Sequence, residues 1–178
     1  MQEVSQRDID NLEKIRENVR QFMKTAANKY DAAGKLLLDI APQDHEGAAP
    51  FFVKSKVETL DIDSASGATY IADLCADNTD VIPAEHFDYV VCTEVLEHTL
   101  HPFDAVKEIY RILKKGGYAF VSSPYDFRIH GPLPDCWRFT EHGLRALFKD
   151  FEEVELKGLE QEGRFLMPLH YTFVIKKA

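Results

Sequence analysis

Short apolar runs of strand length recur along the chain after Gly34, and helical or irregular segments separate them. The runs are KLLLDIA, KVETLDI, TYIADL, FDYVVCTEV, GYAFVSS, FEEVELKGL and HYTFVIKK. The first, fourth and fifth are almost continuously apolar, which is typical of strands buried on both faces of a parallel sheet. Because strands that alternate with crossover segments form doubly wound sheets, the pattern predicts a mostly parallel, seven-stranded α/β fold. Only EQEGRFLMP separates the last two runs, so they should form a hairpin with one strand antiparallel to the rest.

Three segments carry apolar residues at helical spacing. The first runs from Asp8 to about Tyr30, and Ser5 with Asp8 resembles a capping pair at its start. The second spans roughly Pro102 to Lys114, and the third lies near Glu141 to Lys149 behind a Thr140 cap. The helices are thus reduced in number for a doubly wound sheet. Residues 1–33 form the one substantial cover before the first strand, and we expect them to pack on the sheet.

The composition is that of an ordinary globular chain. At 178 residues with 45% hydrophobic residues, the sequence suits a single domain over residues 1–178. A net charge of -9 argues against a nucleic-acid partner, because phosphate binding needs clustered Lys and Arg. The sequence shows neither the pattern of a signal peptide nor a long apolar run, so we expect a cytoplasmic protein with no membrane partner.

Acidic residues accompany the ends of the first three apolar runs. Asp39 lies at the end of the first run, Asp61 and Asp63 close the second, and Asp73 follows in the third. Doubly wound sheets bind ligands beyond the carboxyl ends of their strands, where a carboxylate can accept hydrogen bonds from ribose hydroxyls. Two alternatives stay open. Asp61 or Asp63 could cap the turn in DSASG, and Asp73 could simply terminate its strand.

The fourth run ends in FDYVVCTEVLEHTLHP, which leaves polar side chains at the mouth of the same crevice. Thr93, Glu94, Glu97 and His98 follow the strand before the next helix begins. His98 is a candidate base, because an imidazole titrates near neutral pH. Alternatively these side chains bond to the backbone and hold the loop, which is the favoured interpretation for Glu97.

The connection after the fifth run, SSPYDFRIHGPLPDCWRFT, is too long for a simple turn. It is dense in proline, aromatic and charged residues, and such loops often form lids or substrate walls. The candidates for substrate contact are Tyr125, Trp137 and Arg138, and Asp126 and His130 are candidate catalytic groups. An equally open alternative makes Trp137 a core anchor and places Arg138 in a salt bridge.

Metal-ligating residue types are present, but their spacing is unfamiliar. His98, His101, His130 and Cys136 match no pattern of metal ligands, so no metal site is predicted. Three widely spaced cysteines without a CxxC pair likewise indicate neither a zinc site nor a disulfide framework.

Taken together, LLLDIAPQ, VETLDIDS, YIADL, FDYVVCTEVLEH with RILKKGG, and DCWRFT resemble class I S-adenosylmethionine-dependent methyltransferases of the small bacterial type. The resemblance covers Gly34 to about Phe151, and one departure is Lys115, where members of that family carry a proline. It implies a Rossmann-like fold, S-adenosylmethionine as cofactor, and methyl transfer to the oxygen or nitrogen of a small polar acceptor. The WRFT element resembles a subgroup associated with sugar, cell-envelope or secondary-metabolite modification.

The resemblance also implies roles for individual residues. Asp39 and the backbone after it line the methionine end of the cofactor, Asp61 holds the ribose, and Asp73 flanks the adenine. The full set of implied cofactor-binding residues is Asp39, Ala41, Gln43, Asp61, Asp63, Asp73, Leu74, Thr93 and Glu94. If the acceptor is a hydroxyl, a base is needed as well, and the candidates are His98 and His130, with Asp126 next.

The family's glycine-rich loop is replaced by Ala41-Pro42-Gln43. S-adenosylmethionine has no pyrophosphate, so this loop need not cradle phosphates and has only to let the backbone pass close to the cofactor. Gln43 can also donate to the methionine carboxylate. The unusual loop and the short chain keep a second hypothesis open, a non-catalytic methyltransferase-like scaffold that binds a partner or metabolite. The N-terminal helix is a candidate surface for a homodimer.

Overall fold

A seven-stranded sheet forms the centre of the chain in a computed structural model, which describes residues 4–42 and 47–178. The strands are β1 (Leu36–Ile40), β2 (Lys56–Asp61), β3 (Tyr70–Ile71), β4 (Phe87–Thr93), β5 (Leu113–Pro124), β6 (Glu152–Gly158) and β7 (His170–Lys176). Their order is β3-β2-β1-β4-β5-β7-β6, and β7 is antiparallel to both of its neighbours. All other neighbouring pairs are parallel. The predicted doubly wound, mostly parallel sheet with one antiparallel strand is confirmed.

Three α-helices and one short 3-10 helix (Leu96–His98) accompany the sheet within the described residues. The α-helices are α1 (Gln6–Tyr30), α2 (Pro102–Ile112) and α3 (Glu141–Leu147). The caps are as predicted: Ser5 accepts the backbone N–H of Asp8, and Thr140 accepts that of Gly143. The second helix ends at Ile112, two residues before the approximate end predicted at Lys114, because Leu113 already begins β5. In the described part of the chain, no helix is both long and apolar enough to cross a lipid bilayer.

Side chains alternate between the two faces of the sheet, and different helices cover each face. On one face, Val19 and Met23 of α1 pack against residues of the central strands such as Val91 and Phe120. On the other face, α2 and α3 pack against the intervening residues, among them Val90. The apolar stripe of α1 therefore packs against the sheet.

The sheet order fixes where a ligand can bind. The chain passes from β1 outward to β2 and β3, and then returns to place β4 on the other side of β1. Connections after β1 and β4 therefore leave in opposite directions, which opens a crevice at the carboxyl ends of these two strands.

Candidate active site

A cavity of about 1010 Å³ lies in this crevice. Its floor is formed by residues at the carboxyl ends of β1, β2 and β4, and α1 and the loop after β5 form its sides. Pockets for small molecules usually measure about 300–1,000 Å³, so this one is at the upper end of the range. The cavity is large enough for a cofactor-sized molecule together with a second small ligand.

Asp61 presents an unpaired carboxylate oxygen at the cavity. It is the last residue of β2 and is 3% exposed. Its Oδ1 accepts the backbone N–H of Asp63 at 2.7 Å, but its Oδ2 is buried without a hydrogen-bond partner among the described residues. A buried acceptor that lacks a donor costs about 1–3 kcal/mol. A ligand hydroxyl in the cavity would supply the missing donor.

The segments after β2 and β3 form the cavity wall beside Asp61. Asp63 and Asp73 both line the cavity, and each also accepts the backbone N–H two residues further along at 2.8 Å. Both residues therefore form turns and line the cavity, so the two interpretations are compatible. Ile62 and Leu74 add apolar surface, and the Ile62 side chain is 70% exposed. Sequence reasoning missed Ile62, although an apolar residue directly after a strand-ending acid was a usable signal.

The loop after β1 depends on two left-handed residues. Ala41 has a φ of 50°, a conformation that costs a non-glycine residue about 1–2 kcal/mol. Gly47 has a φ of 60°, and a Cβ there would stand 2.6 Å from Oδ2 of Asp39 and 2.8 Å from Cβ of Pro42. The loop thus contains a glycine that the fold requires, and sequence reasoning overlooked it. Gln43, the remaining predicted residue of this loop, lies outside the described residues.

Asp39 lies behind this loop and outside the cavity wall. Its side chain is buried, and Oδ2 accepts the backbone N–H of Ala48 at 2.6 Å. Burial raises the pKa of Asp39 to about 6, and the bond from Ala48 opposes the rise. Asp39 therefore positions the returning end of the loop.

Glu94 enters the cavity wall directly after β4, with a φ of 55°. Its Oε1 accepts the Ser122 hydroxyl at 2.7 Å and Nε2–H of His170 at 2.6 Å. The amide of Asn18 donates to Nδ1 of His170 at 2.8 Å, which links α1 to the cavity. Burial raises the pKa of Glu94, but the interactions with His170 and Ser122 outweigh it and the net shift is downward. Thr93, the last residue of β4, is buried and does not line the cavity.

His98 and His130 face each other in the cavity wall, with ring centroids 4.9 Å apart. Nδ1 of His98 donates to the backbone carbonyl of Pro134, and Nδ1 of His130 donates to Oδ2 of Asp135, each at 3.0 Å. These two bonds leave Nε2 of each ring as an acceptor. Burial lowers the pKa of His130, so its imidazole is neutral near pH 7.

Glu97 lies behind the two imidazoles and is fully buried. Neither of its carboxylate oxygens has a hydrogen-bond partner within the described part of the chain. Its backbone carbonyl, by contrast, accepts the N–H groups of Cys136 and Trp137. The backbone of Glu97 thus holds the loop, while its side chain does not make the backbone bonds that the sequence favoured. Burial and the neighbouring charge of Glu94 raise the pKa of Glu97 well above its ordinary value.

Arg138 stabilises the conformation of the loop after β5, to which it belongs. Its guanidinium donates to both oxygens of Asp135, at 2.5 and 2.7 Å, and to the backbone carbonyls of Phe127 and Arg128. The salt-bridge alternative therefore describes Arg138. Trp137 donates through Nε1 to the carbonyl of Thr99 at 2.7 Å. Both side chains shape the loop without lining the cavity.

Asp126 and Tyr125 also lie away from the cavity wall. The carboxylate of Asp126 accepts from Gln161 at 2.8 Å and from Arg164 at 2.9 Å. Tyr125 packs against Tyr171, with ring centroids 5.9 Å apart. Asp126 therefore forms an ion pair outside the cavity. It does not share the cavity wall with His98 and His130.

The structure thus divides the predicted site residues into two groups. Those in the cavity wall are Ala41, Asp61, Asp63, Asp73, Leu74, Glu94, His98 and His130. Those outside it are Asp39, Thr93, Tyr125, Asp126, Trp137 and Arg138. His170 bonds Glu94, and Asn18 bonds His170, so both residues belong to the site. Sequence reasoning missed them, because a histidine at the start of an apolar strand looks like part of the core.

Comparison with known proteins identifies the class. A family model described as a methyltransferase domain matches residues 10–158, so the chain belongs to the methyltransferase-domain family. No functionally curated protein matches the sequence significantly. Family membership supports a SAM-dependent methyltransferase and makes S-adenosylmethionine the usual cofactor.

Solved structures share the fold at low sequence identity. A SAM-dependent methyltransferase from Archaeoglobus fulgidus is 15% identical, with a TM-score of 0.69 over 91% of this chain and 94% of that one. A SAM-dependent methyltransferase from Methanosarcina mazei is 17% identical, with a TM-score of 0.62 over 83% and 93%. The [4+2]-cyclase SpnF is 13% identical, with a TM-score of 0.69 over 88% and 80%. Such distant similarity establishes the fold alone.

Proposed function

We propose that this protein transfers the methyl group of S-adenosylmethionine to an oxygen or nitrogen of a small polar acceptor. The main support is Oδ2 of Asp61, which lies at a cavity of about 1010 Å³ and has no hydrogen-bond partner among the described residues. Such an oxygen needs a hydroxyl donor from the ligand, and a ribose provides two adjacent hydroxyls. Family membership supports the same cofactor.

The residues around Asp61 fit an adenosine. Asp61 would hold the ribose, as an acidic residue at the end of the second strand does in related nucleotide-binding sheets. The exposed side chain of Ile62 and the buried Leu74 give apolar surfaces for the base, and Asp73 lies at the same wall. These residues present both the polar and the apolar groups that an adenosine requires.

The methionine end would extend towards the loop after β1. Ala41 and Gly47 both line the cavity there, and neither carries a side chain larger than a methyl group. Arg16 of α1 lines the same cavity and is a candidate partner for the carboxylate of the methionine. The small side chains of these two residues leave their own backbone accessible to the ligand.

The acceptor would occupy the part of the cavity near His98 and His130. S-adenosylmethionine supplies a methyl sulfonium that reacts by in-line displacement, so the protein mainly provides proximity and alignment. A hydroxyl acceptor must also lose a proton, and the free Nε2 atoms of His98 and His130 are in the cavity wall to assist. Links to sugar, cell-envelope or secondary-metabolite chemistry rest on the WRFT resemblance.

Titration calorimetry with S-adenosylmethionine tests the proposal. The parent protein should bind the cofactor, and Asp61→Ala should weaken binding about 10- to 100-fold, because it removes a buried charge-assisted hydrogen bond. Asp150→Ala, a change of the same type at an exposed position, should leave the affinity unchanged. No detectable binding at about 1 mM cofactor would refute the proposal and favour the non-catalytic scaffold.

A further inference from the structure

We propose that Glu97, His98 and His130 bind a divalent transition-metal ion in the wall of the cavity. Each residue offers one ligand atom, and these atoms lie within 4.8 Å of one another. The cluster contains two imidazoles and one carboxylate, a set that recurs at catalytic zinc and iron sites. The inference departs from the sequence-based prediction of no metal, which considered His101 and Cys136 but omitted Glu97.

The spacing of the ligand atoms is close to what an ion requires. Nε2 of His98 lies 3.9 Å from Oε1 of Glu97. Ligand atoms about 2.1 Å from a tetrahedral ion stand about 3.4 Å apart. No pair of ligand atoms in the cluster therefore has to approach by more than about 1.4 Å when the ion binds. Changes of side-chain torsion provide a shift of that size.

Glu97 supplies an independent indication of a ligand. Its side chain is completely buried, yet neither carboxylate oxygen has a hydrogen-bond partner among the residues the structure describes. Two other buried acids, by contrast, do have partners: Asp39 accepts from Ala48, and Glu108 accepts from Arg111. An uncompensated carboxylate in such surroundings is expected to pair with a cation or a metal ion.

A neighbouring cation does not satisfy Glu97. Arg138 acts electrostatically on Glu97, but both terminal nitrogens of its guanidinium donate to Asp135. Glu94, the neighbouring acid, would add negative charge beside a bound cation. The local charge therefore favours a metal ion next to Glu97.

Both imidazoles are already oriented as ligands. Nδ1 of His98 donates to the Pro134 carbonyl, and Nδ1 of His130 donates to Asp135, so Nε2 of each ring is left as the ligand atom. Metal-bound histidines usually make this second bond to a carbonyl or a carboxylate. Asp135 is itself fixed by Arg138 and by the backbone N–H of His130. The loop after β5 thus positions a histidine that lies far in sequence from His98.

The donor set selects the class of ion. Two nitrogen ligands disfavour Mg²⁺ and Ca²⁺, which take oxygen ligands, and favour Zn²⁺ and its first-row neighbours. Because His98 and His130 line the cavity while Glu97 lies behind them, the remaining coordination positions face the cavity. An acceptor hydroxyl bound there would release its proton to solvent more readily, so the ion would take the place of the two imidazoles in assisting that proton loss. This role alone rests on the proposed methyl transfer.

Titration of the full chain, first stripped with a chelator, with Co²⁺ tests the site. We expect one equivalent of Co²⁺ to produce the visible absorption of a low-coordinate complex, and Zn²⁺ to abolish it by competition. Glu97→Gln and His130→Ala should each weaken binding about 100-fold or more, and Asp135→Asn about 10- to 100-fold. His142→Ala changes a histidine whose side chain is 83% exposed and should have no effect.

S-adenosylmethionine calorimetry on the same variants separates this proposal from the preceding one. Cofactor affinity should remain near that of the parent, which also shows that the variants are folded. No Co²⁺ spectrum at about 1 mM ion, or a parental Co²⁺ affinity in Glu97→Gln, would overturn the metal site even if the cofactor binds. Binding of Co²⁺ without cofactor binding would support the metal site and refute the methyltransferase proposal.

Discussion

Nε2 of His170 lies 2.6 Å from Oε1 of Glu94, and this contact joins the last strand of the sheet to the cavity wall. His170 is fully buried and also bonds Asn18 of α1. One imidazole therefore connects the N-terminal helix, the antiparallel strand and a residue in a left-handed conformation. Glu94 is held in that conformation by a network whose members come from distant parts of the sequence.

Replacing His170 with Phe should lower the free energy of unfolding by about 2 kcal/mol, because two half-buried polar partners, Glu94 and Asn18, lose their hydrogen bonds. Asn18→Ala should cost about 1 kcal/mol. The double variant should be less destabilised than the sum of the two, since the residues share one network. Urea denaturation measures all three, and His142→Phe, at an exposed position, is the control. Strict additivity would show that the network does not act as a unit.

A second prediction concerns Asp88, whose carboxylate accepts from Lys35 at 2.9 Å and from Lys114 at 2.8 Å. Burial raises its pKa, but the two lysines outweigh it and lower the pKa from 3.8 to about 2. A carboxyl whose folded pKa is lowered stabilises the protein above its unfolded pKa and loses that contribution as the pH falls through the folded pKa.

Asp88→Asn should therefore reduce the free energy of unfolding by about 2 kcal/mol between pH 5 and 8. About half of that difference should remain at pH 3, because the unfolded carboxyl is then largely protonated while the folded one is not. Urea titrations of both proteins across this range measure the change. A difference that stays constant down to pH 3 would show that ionisation of Asp88 is not its source.

The sheet was predictable because burial on both faces leaves a continuous apolar signal. The strands β1, β4 and β5 carry that signal. The acids at the strand ends became candidate site residues because doubly wound sheets bind ligands beyond the carboxyl ends of their strands. The end of α2 was not predictable, since Leu113 is apolar and fits both the helical stripe and the start of β5. The spacing of apolar residues cannot assign a residue that fits both the end of a helix and the start of a strand.

The site was only partly predictable, because its chemistry depends on contacts between distant segments. Asp61 followed from its place at the end of β2. The proximity of Glu97 to His130 depends on the path of the loop after β5, which Arg138 fixes through backbone carbonyls. Nothing in the spacing of these residues indicates that path. Asp126 was a reasonable candidate by residue type, but its partners lie in the connection between β6 and β7.

Asp39 should make the protein less stable as the pH rises. Burial raises its pKa from 3.8 to about 6, so its contribution to stability is full below pH 3.8 and is lost as the pH rises through 6. Asp39→Asn should therefore be more stable than the parent by about 2 kcal/mol at pH 8 and about equal to it at pH 4. Chemical denaturation at the two pH values measures this, and Asp150→Asn is the exposed control. An equal gain at both values would exclude the buried charge as the cause.

Gly47 and Gly34 offer a matched pair of substitutions in the chain around β1. Both have a positive φ, 60° and 79°, so an alanine at either position should cost about 1 kcal/mol of backbone strain. Only at Gly47 would the new Cβ meet other atoms, namely Oδ2 of Asp39 at 2.6 Å and Cβ of Pro42 at 2.8 Å. Gly47→Ala should therefore destabilise the protein by about 1–3 kcal/mol more than Gly34→Ala, as urea denaturation would measure. Because the displaced loop lines the cavity, calorimetry should also show weaker S-adenosylmethionine binding in Gly47→Ala alone. Equal losses of stability and affinity in the two variants would contradict the close approach of Gly47 to Asp39.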